Sequence, residues 1–182
     1  MKKYIVIGNP IEHSLSPKLH NFWIRSNNIK AIYSKEKVLK NDLENIVDEL
    51  RKKKLDGINV TVPHKTEIIP YVDELTNEAQ CTESVNTIFE RNSKIIGHNT
   101  DIAGFDLSLR QSKLNLKNKK VLILGAGGVS PSLIYALKNH KTQEIVISNR
   151  TYSKAEDVKK KFNEVKIIKW EEFYDFDLVI NA

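Results

Sequence analysis

The feature that most constrains the fold is a continuously apolar strand that runs directly into a glycine-rich turn and a helix. Val121–Leu124 is followed by Gly125-Ala126-Gly127-Gly128-Val129-Ser130, and Pro131 lies in the first turn of the predicted helix. Glycines at these positions allow a tight turn and let a pyrophosphate approach backbone amides at the positive end of the helix. Ser130 replaces the usual third glycine, but it is small enough for close helix packing. A glycine-rich turn without a ligand is the alternative interpretation.

Apolar strands alternate with helical patterns along the whole chain, which predicts an α/β fold with largely parallel sheets. The polar stretch Asn115–Lys120 interrupts the alternation and is the best candidate for a boundary. We predict an N-terminal α/β domain over residues 1–101, a connecting helix and linker over 102–118, and a Rossmann-like doubly wound domain over 119–182. The sequence stops soon after a predicted strand, where a doubly wound domain normally continues, so this second domain is expected to be partial.

Local signals place the individual elements. The predicted strands are 4–8, 31–38, 57–62, 85–89, 94–97, 121–124, 144–148, 165–168 and 178–180. The predicted helices are 17–27, 42–54, 63–72, 102–114, 131–139 and 153–162. Ser16 is the expected N-cap of the first helix, because Pro17 suits the first helical position.

Composition excludes several classes of protein. The single cysteine, Cys81, excludes an internal disulfide and a cysteine-based zinc cluster, and it indicates a reducing cytoplasm. The net charge of +6 raises the question of nucleic acid, but the basic run 51–54 closes an amphipathic helix, whose negative dipole end favours cations. No apolar run approaches the roughly 20 residues of a membrane span. We expect a cytoplasmic protein without nucleic-acid, membrane or metal binding, and we leave a homodimer open.

The strand after the glycine-rich turn indicates which dinucleotide binds. An NAD site normally has an acidic residue at the end of this strand for the ribose 2′-hydroxyl. Here the strand ends in Asn149-Arg150-Thr151, with Lys154 soon after. Arg150 can stack on adenine and pair with a 2′-phosphate, helped by its three polar neighbours. The sequence therefore favours NADP over NAD, although Lys154 alone could be a solvated helix residue.

The first half carries four polar clusters at the ends of predicted elements. Asn59-Val60-Thr61-Val62-Pro63-His64-Lys65 turns a buried strand into amide, hydroxyl and ammonium groups, which can hold a polyol and protonate a carbonyl oxygen. Ser14-Leu15-Ser16-Pro17 opens a helix and suits a carboxylate. Ser84-Val85-Asn86-Thr87 offers an amide, and Gly97-His98-Asn99-Thr100-Asp101 offers a carboxylate. The alternatives are a solvated lysine and simple helix caps at Ser16 and Asp101.

Taken in order, these motifs resemble the shikimate dehydrogenase family over essentially the whole chain. The resemblance implies NADPH-linked, reversible reduction of 3-dehydroshikimate to shikimate in aromatic amino-acid biosynthesis. It makes the first domain the substrate-binding and catalytic one, with Lys65 and Asp101 as the catalytic pair. The implied substrate ligands are Ser14, Ser16, Asn59, Thr61, Lys65, Asn86 and Asp101. The implied NADP ligands are Gly125, Ala126, Gly127, Gly128, Val129, Asn149, Arg150, Thr151 and Lys154.

The sequence departs from this family in two respects. Family members usually continue beyond the position of Ala182, through a segment with a substrate-binding glutamine and a glycine-methionine pair near the nicotinamide. Family members also often carry a basic residue near the position of Ser130-Pro131. Two alternatives stay open: an NAD-linked quinate/shikimate dehydrogenase, and a noncatalytic module that binds NADP or shikimate. Comparing shikimate with quinate, each with NADP and NAD, tests the first alternative, and tight ligand binding without oxidation of shikimate would indicate the second.

Overall fold

The computed structural model describes residues 1–172 and 175–182, and the chain divides into two units, Met1–Thr100 and Asp101–Ala182. The helix that the sequence analysis assigned to a connector falls in the second unit. The domain bounds given above remain a prediction.

The first unit is built on a mixed six-stranded sheet. Its helices are α1 (Ser16–Ser26), α2 (Leu43–Arg51) and α3 (Asn77–Thr82), and short 3-10 helices span Lys40–Asp42 and Ile69–Tyr71. Its strands are β1 (Lys2–Gly8), β2 (Ala31–Lys37), β3 (Gly57–Val60), β4 (Glu74–Leu75), β5 (Thr87–Arg91) and β6 (Lys94–His98). The strand order is β2-β1-β3-β5-β6-β4. Strand β1 is parallel to both neighbours, whereas the β3–β5 and β5–β6 pairs are antiparallel.

The side chains of β1 are buried on both faces of this sheet, as expected for a central strand. Ile5 and Ile7 pack into a cluster with the apolar face of α2, whose buried residues follow the helical i, i+3, i+4, i+7 spacing: Leu43, Ile46, Val47 and Leu50. On the other face, Val6 packs with Tyr33 of β2 and with Ile24 of α1. Because β1, β2 and β3 are parallel, their carboxyl ends lie at one edge of the sheet.

The second unit has a fully parallel sheet. Its elements are α4 (Asp101–Gln111), β7 (Lys120–Leu124), α5 (Ser130–Asn139), β8 (Glu144–Ser148), α6 (Tyr152–Lys161), β9 (Lys166–Ile167) and β10 (Leu178–Asn181). The strand order is β10-β7-β8-β9, so the chain builds outward from β7 on one side and then returns to its other side with β10. Such a reversal creates a crevice between β7 and β10, at the carboxyl ends of these two strands, which is where doubly wound folds bind ligands.

The α/β prediction is confirmed, but two local predictions are wrong. The segment 63–72 is not a helix: it consists of turns and the 3-10 helix Ile69–Tyr71, because Pro70 lacks an N–H and would clash with the carbonyl one turn earlier. Ser16 is not an N-cap: α1 begins at Ser16, and Leu15 precedes it without a side-chain cap. The short elements β4 and α3 lie in a region that the sequence left unassigned, since two to six residues show no periodicity.

Candidate active site

The loops after β1 and β3 meet at the carboxyl edge of the first sheet. The Thr61 amide donates to the Ile7 carbonyl at 2.9 Å, and the Asn9 amide donates to the Val62 carbonyl at 3.0 Å. Gly8 permits this approach, because a Cβ there would lie 2.7 Å from the Thr61 methyl carbon and 3.0 Å from the Val62 oxygen. The loop that leads to Ser14 and the loop that carries Lys65 therefore begin side by side. Sequence reasoning did not single out Gly8.

Ser14 and Ser16 form a compact pair where α1 starts. The Ser16 amide donates to the Ser14 hydroxyl oxygen at 3.3 Å, and the Ser14 amide donates to the Ile11 carbonyl at 3.0 Å. Both residues are half-buried. In the described part of the chain the Ser16 hydroxyl has no hydrogen-bond partner. The arrangement thus presents hydroxyls at the positive end of a helix, which suits a carboxylate.

Asn59 is committed to bonds within the protein. Its Oδ1 accepts from the Tyr33 hydroxyl at 2.6 Å, and its Nδ2 donates to the Asn86 carbonyl at 3.2 Å and to the Thr87 hydroxyl at 3.1 Å. Burial raises the pKa of Tyr33 well above its ordinary value, so the phenol stays neutral and can donate. Both amide hydrogens of Asn59 are used, so this geometry favours a supporting role. Its direct contact with a substrate hydroxyl stays a prediction.

Asn86 connects the segment before β5 to the segment after β6 by hydrogen bonds. Its Oδ1 accepts from the Thr100 amide at 3.0 Å, and its Nδ2 donates to the Thr100 hydroxyl at 2.9 Å. Its own amide donates to the His98 carbonyl at 3.0 Å. These bonds fix the backbone directly before Asp101, which is the first residue of α4 in the second unit. Neighbouring Asn99, fully buried, donates to the Ser84 carbonyl at 2.9 Å and supports the same turn.

Lys65 is half-buried and its backbone is held from two sides. Its carbonyl accepts from the Val85 amide at 2.8 Å, one residue before Asn86. The residue before it, His64, points inward and is 1% exposed. Thr61 is half-buried close by in the chain, and no residue in 1–172 or 175–182 bonds to its hydroxyl. The predicted pairing of Lys65 with Asp101 stays a prediction.

In the second unit, the glycine-rich turn follows β7 as the sequence predicts. Gly125 has φ +119°, and a Cβ there would lie 2.2 Å from the carbonyl oxygen of Ala182, so only glycine fits. Its amide donates to the Ser148 carbonyl at 2.8 Å, and the Ala126 amide donates to Asn149 Oδ1 at 3.1 Å. Ser130 is fully buried, and its hydroxyl donates to the Gly125 carbonyl at 3.1 Å. Serine in place of the third glycine therefore stabilises the turn through this hydrogen bond.

Gly127 and Gly128 are exposed next to the N-terminus of α5. A Cβ at Gly127 would meet nothing within 4 Å, so the packing of the chain itself does not require glycine there. A ligand that approaches the backbone closely would require it. This open space at the positive end of a helix fits a dinucleotide pyrophosphate.

The end of β8 presents cations and hydroxyls without a carboxylate. Arg150 and Lys154 are exposed, and within residues 1–172 and 175–182 neither forms an ion pair. Asn149 is fixed by two bonds, since it accepts from Ala126 and donates through Nδ2 to the Thr151 carbonyl at 2.8 Å. Thr151 precedes α6 but makes no side-chain cap. Arg150 is thus available for a phosphate, in a loop that Asn149 holds against the glycine-rich turn.

Comparison with known proteins gives a match for each of the two units. The sequence model described as "Shikimate dehydrogenase substrate binding domain" matches residues 6–88, and the one described as "Shikimate / quinate 5-dehydrogenase" matches residues 107–182. A curated relative from Pelagibacter ubique, "Shikimate dehydrogenase (NADP(+))", is 55% identical over 181 residues, which cover 100% of this chain and 68% of the relative. The chain belongs to the shikimate dehydrogenase family.

Solved shikimate dehydrogenases have the same fold. The enzyme from Aquifex aeolicus matches with TM-score 0.91 at 37% identity, covering 100% of this chain and 68% of that one. The enzyme from Thermus thermophilus, solved with NADP(H) and shikimate, matches with TM-score 0.88 at 30% identity, covering 100% and 68%. The chain thus spans about two thirds of the length of these shikimate dehydrogenases. The resemblance read from the motifs is confirmed.

Two further observations concern membrane spans and metal sites. None of the helices in the described residues combines the length and apolarity that a membrane span requires. The same residues contain no group of three or more His, Cys, Asp or Glu side chains that could hold a metal ion.

Proposed function

We propose that this protein catalyses the NADPH-dependent, reversible reduction of 3-dehydroshikimate to shikimate, in the chorismate pathway of aromatic amino-acid biosynthesis. The observation that carries the proposal is the meeting of two loops at one sheet edge. One loop presents the Ser14–Ser16 hydroxyl pair at a helix start, and the other carries a half-buried lysine. A carboxylate-binding pair beside a proton donor is what a carboxylated cyclic ketone requires.

The substrate ligands have roles that follow from their chemistry. Ser14 and Ser16 hold the carboxylate, and Thr61 and Asn86 contact ring hydroxyls. Asn59 remains a proposed substrate ligand. Its amide group donates to the Asn86 carbonyl and to the Thr87 hydroxyl, however, and these bonds favour a role in holding Asn86 in place. We propose further that the first domain binds substrate over residues 1–101 and that residues 119–182 bind NADP, joined by 102–118.

The chemistry of the first domain centres on Lys65. When the ketone is reduced, negative charge grows on its oxygen, and a nearby ammonium stabilises that charge and delivers the proton. Asp101 orients Lys65 and accepts a hydrogen bond from a substrate hydroxyl. The backbone bond from Val85 to Lys65 fixes where the lysine side chain originates. In the reverse direction the same lysine accepts the proton from shikimate.

NADP is the cofactor that these residues fit. Gly125, Ala126, Gly127, Gly128 and Val129 would surround the pyrophosphate, while Asn149, Arg150, Thr151 and Lys154 would receive the adenosine 2′-phosphate. Bound NADPH supplies the hydride. The absence of an acidic side chain between Asn149 and Lys154 removes the group that would repel the 2′-phosphate.

The decisive experiment measures shikimate-dependent formation of NADPH by the wild-type chain and by Lys65→Ala. Loss of an acid–base group costs about 10²–10⁴-fold in rate, so turnover should fall by at least about a hundredfold while shikimate binding stays within several-fold. Lys159→Ala is the matched control, because Lys159 is an exposed lysine of the second unit that is not among the proposed ligands. Near-normal turnover of Lys65→Ala would remove Lys65 from this role. Quinate and NAD, tested in parallel, measure the alternative specificities.

Two further proposals concern the cellular location of the protein and its oligomeric state. A single, exposed cysteine supports a reducing cytoplasm. A homodimer is tested by sedimentation equilibrium, where a species of twice the 20.9 kDa chain mass would support it.

A further inference from the structure

His64 directly precedes the proposed catalytic lysine, and the chemistry above gives it no role. Its side chain is buried although it lies in a loop between β3 and a short 3-10 helix. Both ring nitrogens have partners: Nε2 lies 2.8 Å from the Val38 carbonyl oxygen, and Nδ1 lies 2.9 Å from Glu67 Oε2. Val38 directly follows β2, so the ring connects the Lys65 turn to the segment after that strand.

The chemistry of the two partners decides what the ring does. A carbonyl oxygen only accepts hydrogen bonds, and so does an ionised carboxylate. Glu67 is ionised: its other oxygen lies 3.0 Å from Lys40 Nζ, and hydrogen bonds from His64 and Lys40 lower the pKa of Glu67. Glu67 and Lys40 are the titratable groups that the structure places on the ring or on its carboxylate partner. The Val38 carbonyl can only accept, so Nε2 donates to it, while Nδ1 is paired with the Glu67 carboxylate.

This clamp acts on the backbone that carries Lys65. The His64 amide donates to the Thr61 carbonyl at 2.9 Å, and the His64 carbonyl accepts from the amide of fully buried Ile68 at 3.0 Å. The carbonyl of Lys65 is fixed by Val85. A lysine side chain is long and flexible, so the position of its ammonium depends on a fixed backbone origin. The ring of His64 holds the same backbone one residue earlier, through Val38 and Glu67.

We propose that His64 is a positioning residue, which sets Lys65 in place through its ring contacts with Val38 and Glu67. This proposal rests on the proposed function, in which Lys65 is the proton donor. A positioning residue affects turnover more than substrate affinity, because misplacement by about 1 Å can cost about a hundredfold in rate. Substrate held by Ser14 and Ser16 would be bound almost as before.

Three variants separate positioning from general stability. His64→Phe keeps a planar ring but loses both bonds, His64→Gln keeps a donor toward Val38, and Glu67→Gln lets a neutral ring accept from the new amide while still donating to Val38. We expect kcat to fall about ten- to a hundredfold in His64→Phe, less than about tenfold in His64→Gln, and less than about threefold in Glu67→Gln. The Kd for shikimate should change by less than about threefold throughout. Circular dichroism establishes which variants fold.

The test is the order in which the three variants lose kcat. Wild-type kcat in folded His64→Phe, or equal losses of kcat and shikimate affinity in all three variants, would overturn the proposal. If His64→Phe does not fold, the order of His64→Gln and Glu67→Gln still decides. If the wild-type chain does not oxidise shikimate, the proposed function fails separately, and amide exchange at Ile68 becomes the readout. Faster exchange in His64→Gln than in Glu67→Gln supports the clamp, and equal exchange overturns it.

Discussion

The hydrogen bond from Tyr33 to Asn59 is the support of the candidate site that is simplest to remove. Tyr33→Phe deletes one hydroxyl and leaves the ring, which stacks on His20 with centroids 4.1 Å apart. The lost bond is short, 2.6 Å, and Tyr33 is 5% exposed, so water does not readily replace it. The variant leaves Asn59 Oδ1 without this donor, whereas its Nδ2 bonds remain.

The size of the effect follows from the burial of the two partners. A buried acceptor that loses its donor costs about 1–3 kcal/mol, and Asn59 is only half-buried, so we expect about 1–2 kcal/mol. Small domains lose about 1–3 kcal/mol of stability per molar urea, so the urea midpoint of the first unit should fall by roughly 0.5–1 M.

The assay must report on the first unit alone. The chain has two tryptophans, Trp23 and Trp170, and Trp170→Phe removes the one in the second unit. Trp23 is a local reporter, because its ring lies 5.5 Å from that of His20, which stacks on Tyr33. Tyr152→Phe in the same background is the matched control, since Tyr152 is 49% exposed in the second unit. A urea midpoint for Tyr33→Phe equal to that of the control would refute the reasoning.

The pH dependence gives a second, independent check on Tyr33. An unfolded tyrosine titrates near pH 10, and burial raises the pKa of Tyr33 above that value. The stability from the neutral phenol is therefore fully present below about pH 10 and is lost as the pH rises through the higher pKa of the folded state. Phenylalanine does not titrate, so the stability difference between wild type and Tyr33→Phe should shrink above about pH 10. A constant difference would contradict the buried, neutral phenol.

The remaining predictions concern the second unit. Arg150→Ala should lower the ratio of NADP to NAD affinity by about tenfold or more, because a bond to a charged group is worth about 1.5–3 kcal/mol; an unchanged ratio, measured by calorimetry, would sink the assignment. Gly125→Ala should unfold or strongly destabilise the unit in thermal melts, since its Cβ would lie 2.2 Å from the Ala182 oxygen. Gly127→Ala, where a Cβ meets nothing within 4 Å, should melt like wild type but bind NADP more weakly, and wild-type binding would show that no pyrophosphate approaches there.

The sequence predicts those parts of the fold that depend on local chemistry. The strand before Gly125 and the helix after Ser130 are visible because a continuous apolar run, a glycine turn and a proline in the first helical turn are neighbours in the chain. The turn that carries Lys65 was wrongly predicted as helix, although Pro70 was visible, because apolar residues on both sides imitate a helical pattern. The short strand β4 exists only through its pairing with β6, which no local pattern reveals.

The residues of the candidate site could be proposed from the sequence, but the hydrogen bonds that their side chains form within the protein could not. Asn59 of β3 and Tyr33 of β2 are 26 residues apart in the chain, and β1 lies between their strands, so their bond depends on the strand order of the sheet. His64 was read only as part of a motif, because nothing local indicates that its ring points toward Val38. Long-range packing thus determines which polar groups are used inside the protein and which can reach a ligand.

The hydrogen bonds within the protein rank the polar residues as candidates for substrate contact. Asn59 and His64 use their side-chain polar atoms within the first unit, toward Tyr33 and Val38 among others. In the described residues, the hydroxyls of Ser16 and Thr61 have no such partner, and they are half-buried where the loops meet. Polar groups whose hydrogen bonds are already formed within the protein are less available to a ligand. Ser16 and Thr61 are therefore the stronger candidates for substrate contact, and the proposed role of Asn59 and His64 is to hold the substrate-binding groups and Lys65 in position.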